Sequence, residues 1–132
     1  MGVLYGERVI AMQIEIPGRM PGINDIVQDA KRGKGKYQPY AIAKKEWTET
    51  VAWCAKKLPA YNKIDIEITW YEPNRRRDPD NIAGGGCKVI MDGLVMAGTI
   101  KDDSQKYVRS IKHNFAVDKD NPRVEINIEE AL

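Results

Sequence analysis

Ile64-Asp-Ile-Glu-Ile-Thr-Trp70 alternates apolar and polar side chains without a break, and Lys88-Val-Ile-Met-Asp-Gly-Leu94 then spaces its apolar positions for one side of a helix. The first period is that of a strand with one buried face, the second that of an amphipathic helix. A further stretch suited to a strand covers roughly residues 106–117. Strand, helix, strand within one segment favours a parallel crossover, because parallel neighbours cannot be joined by a tight turn.

Working outward, residues 9–16 put Ile10, Met12, Ile14 and Ile16 on one face and Ala11, Gln13 and Glu15 on the other, ending at Pro17-Gly18. Residues 40–58 place Tyr40, Ala43, Trp47, Val51, Cys54 and Leu58 three or four apart, with Lys44, Lys45, Glu46 and Glu49 outside; Pro59 marks the end of this helix. Between them, residues 17–39 are rich in glycine, proline and charge, which predicts a long loop. Residues 78–80 are expected to stay extended, with the second helix starting only after Gly86 and stopping near Gly98. Val124, Ile126 and Ile128 share a face of a last strand over about 123–129. The turn formers Asp118-Lys-Asp-Asn-Pro122 predict that it forms a hairpin with the strand before it. The expected fold class is α/β (α+β), a small mixed β-sheet of about four strands in the order β-α-β-α-β-β with two main helices packed on it. One domain spans residues 1–132.

Hydrophobic residues make up 42% and charged residues 30% of the chain. It contains no apolar run of membrane-spanning length, so a soluble, cytoplasmic protein without a membrane partner is expected. Cys54 and Cys87 are far apart and belong to no Cys/His cluster, which argues against a disulfide framework and a zinc site. The net charge of +2 is too small to announce nucleic-acid binding, but its distribution is uneven. Lys31, Arg32, Lys34 and Lys36 form one basic cluster beside Tyr37, and Arg75, Arg76 and Arg77 form another. Both suit phosphate contacts with DNA, and the first equally suits a solvated connector.

Against these stand two acidic pairs, Asp78 with Asp80 and Asp102 with Asp103. On an extended segment, side chains two apart point the same way, so Asp78 and Asp80 can converge on one ion. A crossover unit can bring Asp102 and Asp103 to them. Carboxylates gathered in this way repel one another unless a cation neutralises them, and hard oxygen donors suit Mg²⁺, with Mn²⁺ as a substitute. Such a site leaves coordination positions for a phosphate oxygen and a water, the requirements of phosphodiester hydrolysis. Asp-Pro-Asp-Asn after a strand is also ordinary turn and helix-capping chemistry.

The arrangement Arg75-Arg-Arg-Asp78-Pro-Asp80-Asn81, then Lys88-Val-Ile-Met-Asp92-Gly-Leu94, then Asp102-Asp103-Ser104-Gln105, resembles the RusA family of Holliday junction resolvases over about residues 64–108. The resemblance implies that Asp78, Asp80 and Asp103 are catalytic metal ligands, with Asp102 helping. Lys88 corresponds to a family lysine that contacts phosphate or offsets developing charge; it also stands four residues before Asp92, the spacing of an ordinary helical ion pair. The segment Ile82–Cys87 separates it from the Asp-Asn pair by more than the family pattern does. The resemblance further implies a homodimer acting on branched DNA such as four-way junctions, in recombination and repair, within a bacterial or phage-carrying cell. A nuclease for flaps or forks and a non-enzymatic branched-DNA-binding protein are the alternatives. His113 and Trp47 and Trp70 read as structural residues, and Trp53 as exposed.

Overall fold

The computed structural model describes residues 3–5, 8–25 and 39–131. A five-stranded sheet holds β1 (Val3–Tyr5), β2 (Arg8–Pro17), β5 (Arg123–Glu130), β3 (Ile64–Glu72) and β4 (Val108–Val117) in that spatial order. Helix α1 (Pro39–Cys54) runs into a single 3₁₀ turn, Ala55–Lys57, and α2 (Pro79–Met96) connects β3 to β4. The β3–β4 pair is parallel, as the crossover requires, and every other pair is antiparallel.

The alternation in β3 is realised residue by residue. Ile64, Ile66, Ile68 and Trp70 are buried, while Asp65, Glu67, Thr69 and Tyr71 lie between them on the other face. Val124, Ile126 and Ile128 of β5, with Ile14 and Ile16 of β2, continue the same apolar layer. Val51 and Ala55 join Ile82, Val89, Ile90, Met91 and Leu94 of α2 in one core with that layer. The opposite face is polar and laced with ion pairs, Arg109 with Asp65, Lys112 with Glu67, and Arg123 with Glu15 and Glu125. This is the two-sided character expected of a largely antiparallel sheet covered on one side.

Two expectations are overturned. The last two strands do not form a hairpin: β5 lies between β2 and β3, and among the described residues β4 pairs only with β3 at the edge. The turn segment carries the chain across the end of β3, where the Asp118 N–H donates to the Glu72 carbonyl at 2.8 Å and the Gly18 N–H to that of Pro122 at 3.0 Å. Burial explains the outcome. Val124, Ile126 and Ile128 are at most 2% exposed and belong in the middle of the sheet, whereas Ile111, Phe115 and Val117 of β4 are all more than 40% exposed.

The second correction concerns α2, which begins at Pro79 rather than after Gly86, so Asp78 and Asp80 do not lie on a common extended segment. Proline at the first helical position and Asp80 in the first turn suit a helix start. The glycine run lies inside the helix, and at Gly85 and Gly86 other parts of the chain come too close for a side chain. A Cβ on Gly85 would sit 2.2 Å from the Pro21 carbonyl oxygen, and one on Gly86 would sit 2.4 Å from the Trp70 ring. Tertiary approach outweighs the roughly 1 kcal/mol that each glycine costs a helix. The far end matches expectation: Gly98 takes φ +81°, with Gly98 N–H donating to Val95 and Thr99 N–H to Leu94, the paired bonds of a Schellman stop.

His113 is a structural partner of the core. Trp70 Nε1–H donates to its Nδ1 at 3.0 Å, so Nδ1 carries no proton, and burial holds the imidazole below its ordinary pKa of 6.5. A histidine kept neutral in the fold binds fewer protons than the unfolded chain, so its contribution is present above about pH 6.5 and is lost as pH falls towards the depressed value. The urea midpoint is expected to fall over this window. In His113→Gln, whose amide oxygen can still accept from Trp70, that part of the slope should vanish.

Candidate active site

The site begins where β3 runs out. Glu72 keeps the inward phase of Ile64 to Trp70, so its carboxylate arrives buried, 5% exposed, at the edge of the core. Arg77 answers it with two bonds, Nε to Oε1 at 2.8 Å and Nη2 to Oε2 at 2.7 Å, and Arg19 Nε approaches Oε1 at 3.3 Å. The Arg77 Nη1 donates to the Met20 carbonyl at 3.1 Å and reaches Asp25 at 3.4 Å. Asn74 Oδ1 accepts the Arg76 N–H, closing a tight turn between them. Arg77 therefore differs from its neighbours. Its guanidinium is committed to the protein, while Arg75 and Arg76 are exposed.

The same cluster holds residues 19–25 over the start of α2. Asn81, buried in the first turn, accepts the Asn24 N–H at 2.9 Å through Oδ1, and Asp25 accepts the Gly22 N–H at 2.9 Å. In the sequence Asn81 stands within the Asp-Pro-Asp-Asn motif with no role marked by its spacing, and Glu72 belongs to no motif. A usable signal existed: Glu72 is the one charged residue in the buried phase of β3.

Asp78 and Asp80 stand at the N-terminus of α2, both exposed. Asp78 is the capping residue, with extended φ −74° and ψ 153°, yet its carboxylate makes no capping hydrogen bond. The bland reading is thus half right. A helix does start here, but it does not consume the aspartate.

Two turns beyond Asp80, about 12 Å of axial rise, Lys88 donates to Asp103 at 2.5 Å and pairs with Asp92 at 3.1 Å. Lys44 of α1 completes the row, 3.4 Å from Asp92. The Lys88 bond holds the Asp103 carboxyl below the usual carboxylate range, and Asp103 with Asp92 in turn raises the lysine well above its ordinary value. Both stay charged at neutral pH. The i,i+4 pair and the contact with the acidic loop coexist, so neither reading of Lys88 excludes the other. Asp102 is exposed beside Asp103.

The donor set consists of carboxylates and matches a hard divalent cation in chemistry. The arrangement is more open than the sequence reading supposed: among the described residues no three His, Cys, Asp or Glu side chains form a group able to hold a metal ion. Asp103 is neutralised by an ammonium, and the Asp78–Asp80 half stands apart from it along α2. Cys87 does not join as a thiolate, since burial raises its pKa. The basic cluster Lys31, Arg32, Lys34 and Lys36, with Tyr37, lies outside the described residues.

The model of the family described as endodeoxyribonuclease RusA matches residues 27–129. The chain belongs to the RusA family. No curated protein matches the chain. The RusA match spans every element from α1 to β5 and includes Asp78, Asp80, Lys88 and Asp103, while the Arg19–Asp25 clasp precedes it. Membership makes the chain an endodeoxyribonuclease of the family that resolves Holliday junctions, and the reading as a non-enzymatic DNA-binding protein gives way. Among the described residues no helix is long and apolar enough to cross a membrane.

Proposed function

We propose that this RusA-family chain is a Mg²⁺-dependent endonuclease that resolves four-way DNA junctions by paired, symmetric nicks, acting as a homodimer in the cytoplasm during recombination and repair. The observation that carries the reading is the exposed Asp78 carboxylate, which sits at a helix start without capping it, in a chain of this family. A carboxylate without a partner among the described residues is available to the reaction.

Asp78 and Asp80 would form one half of the ion's holder, and Asp103 with Asp102, which stand apart along α2 with Asp103 paired to Lys88, would join it only as that ion pair opens and the two halves approach. Bound there, Mg²⁺ or Mn²⁺ supplies charge neutralisation at the scissile phosphate and a more acidic water. The chain's own groups do the rest. Arg75 and Arg76, exposed on the loop before α2, can bind the backbone through paired N–H donors and fix its register. Lys88 can follow Asp103 or turn to a phosphate oxygen, offsetting charge that develops as the P–O bond breaks. Arg77 and Glu72 hold the loop in place, and Lys31, Arg32, Lys34 and Lys36 add phosphate contacts away from the cut.

A labelled mobile four-way junction and a linear duplex of the same sequence, each with Mg²⁺ and with EDTA, test the proposal. Paired nicks in the junction alone, lost in EDTA, are the expected result. Junction binding with no cut in either Mg²⁺ or Mn²⁺ would overturn it, and equal cutting of flaps and forks would widen the substrate class.

A further inference from the structure

Phe115 is the one phenylalanine of the chain, and it lies 41% exposed on edge strand β4. It is the outer member of a row of three rings. Trp70, 1% exposed, lies near-parallel beside His113 with centroids 6.0 Å apart and planes 20° from parallel; His113 lies near-parallel to Phe115 at 6.4 Å and 22°. The Trp70–His113 hydrogen bond fixes the orientation of the inner pair. The row starts in the core and ends at solvent, and offset stacking of near-parallel rings leaves its outer end suited to another flat ring.

That outer end borders a groove of about 300 Å³. Phe115, Val117, Ile82 and Pro79 give it an apolar side, and Arg75 and Asp78 line the same groove. The volume is at the small end for ligand sites and suits one planar heterocycle. Arg75 offers the charge to hold the phosphate attached to such a ring, and Asp78 places the ring beside the proposed point of cutting. The other candidate for this surface is a second copy of the chain. Interface cores are depleted of charge, whereas this groove holds Glu72, Arg75, Arg77 and Asp78, so the lining favours a nucleotide.

We propose that Phe115 is a stacking platform for a single unstacked nucleobase of the DNA substrate, received in the groove between β4 and the start of α2. The proposal rests on the nuclease reading and deepens it. Bases at a branch point can leave the stack at lower cost than bases within a duplex, so a platform next to Asp78 would select branched DNA.

The test is junction binding by fluorescence anisotropy in EDTA, where no cutting occurs, using the wild type, Phe115→Ala and Phe115→Trp. The junctions carry either normal nucleotides or one abasic nucleotide at successive positions around the branch. Phe115→Ala is expected to weaken binding of the intact junction roughly 5- to 100-fold, the range for one base on one aromatic ring, and Phe115→Trp to restore it. One abasic position should cost the wild type the same factor and cost Phe115→Ala nothing more, the signature of a shared contact. Equal affinity of Phe115→Ala and wild type would overturn the platform, as would full additivity at every abasic position. A wild-type dimer that becomes a monomer on Phe115→Ala would assign the surface to a second copy instead and also overturn it. Failure of the nuclease reading shows separately, as a wild type that binds the junction in EDTA but never cuts it in Mg²⁺.

Discussion

Asp80→Asn is expected to lower junction cutting by on the order of 10³-fold or more while leaving junction binding equal or tighter. The rate loss corresponds to about 4 kcal/mol of transition-state stabilisation at 1.4 kcal/mol per tenfold. Under the proposed function it follows from loss of a carboxylate that would neutralise and position an ion which an amide holds poorly. Binding should not suffer, because the substitution removes a negative charge from a surface that meets phosphate. Asp80 is exposed, so the stability change should stay within about 0.5 kcal/mol. Single-turnover cutting, a gel-shift titration and a thermal melt on one preparation separate these effects. Cutting at the wild-type rate would remove Asp80 from the site.

Arg77→Ala should behave in the opposite way and destabilise the fold by about 3–5 kcal/mol, the cost of leaving a buried charge without its partner. The Glu72 side chain is only 7% and that of Arg77 10% exposed, so solvent screens the pair little. In a domain of this size the loss should lower the melting temperature by roughly 10 °C or more. Replacing both residues by methionine should recover most of it, since exchanging a buried ion pair for well-packed apolar groups is often close to neutral. Arg76→Ala, one residue away and exposed, should leave the melt unchanged and reduce the salt dependence of DNA binding by about one phosphate contact. An Arg77→Ala protein that melts with the wild type would show that Arg19, 3.3 Å from Glu72, is enough to compensate the buried carboxylate.

The contrast between these arginines shows where sequence reading stops. The run Arg75 to Arg77 looks uniform, and only the phase of Glu72 hints that one of them is spoken for. Local periodicity was sufficient for β3, for α1 and for the end of α2 at Gly98, because burial on one face imprints itself directly on the residues. It failed where a distant part of the chain decided the outcome. Gly84 to Gly86 look like a break, yet the backbone of residues 21–22 requires a small residue at Gly85 and the Trp70 ring one at Gly86, and the helix passes straight through. The turn before Arg123 looks like a hairpin, but a local pattern specifies that a strand forms, not which strand it will pair with. In the site, the residue types of both acidic pairs were legible, and so was the link between Lys88 and Asp92. The separation between Asp78–Asp80 and Asp103 was not, since it depends on a helix starting at Pro79.

The central place of β5 also bears on how the chain folds during synthesis. β2 and β3 have no ladder with each other, and each is joined to the sheet's middle only through residues 123–130. While the ribosome is still upstream of Arg123, the β1–β2 hairpin and the β3–α2–β4 unit are two fragments with open apolar edges. Their union into one sheet waits for pairings such as Ile14 with Ile126, more than a hundred residues apart in sequence. Contacts of such range are slow to form, and unpaired edges in the interval invite aggregation. Completion of the sheet thus waits until β5 has left the ribosome, and nascent chains stalled before it expose edges of the kind chaperones cover.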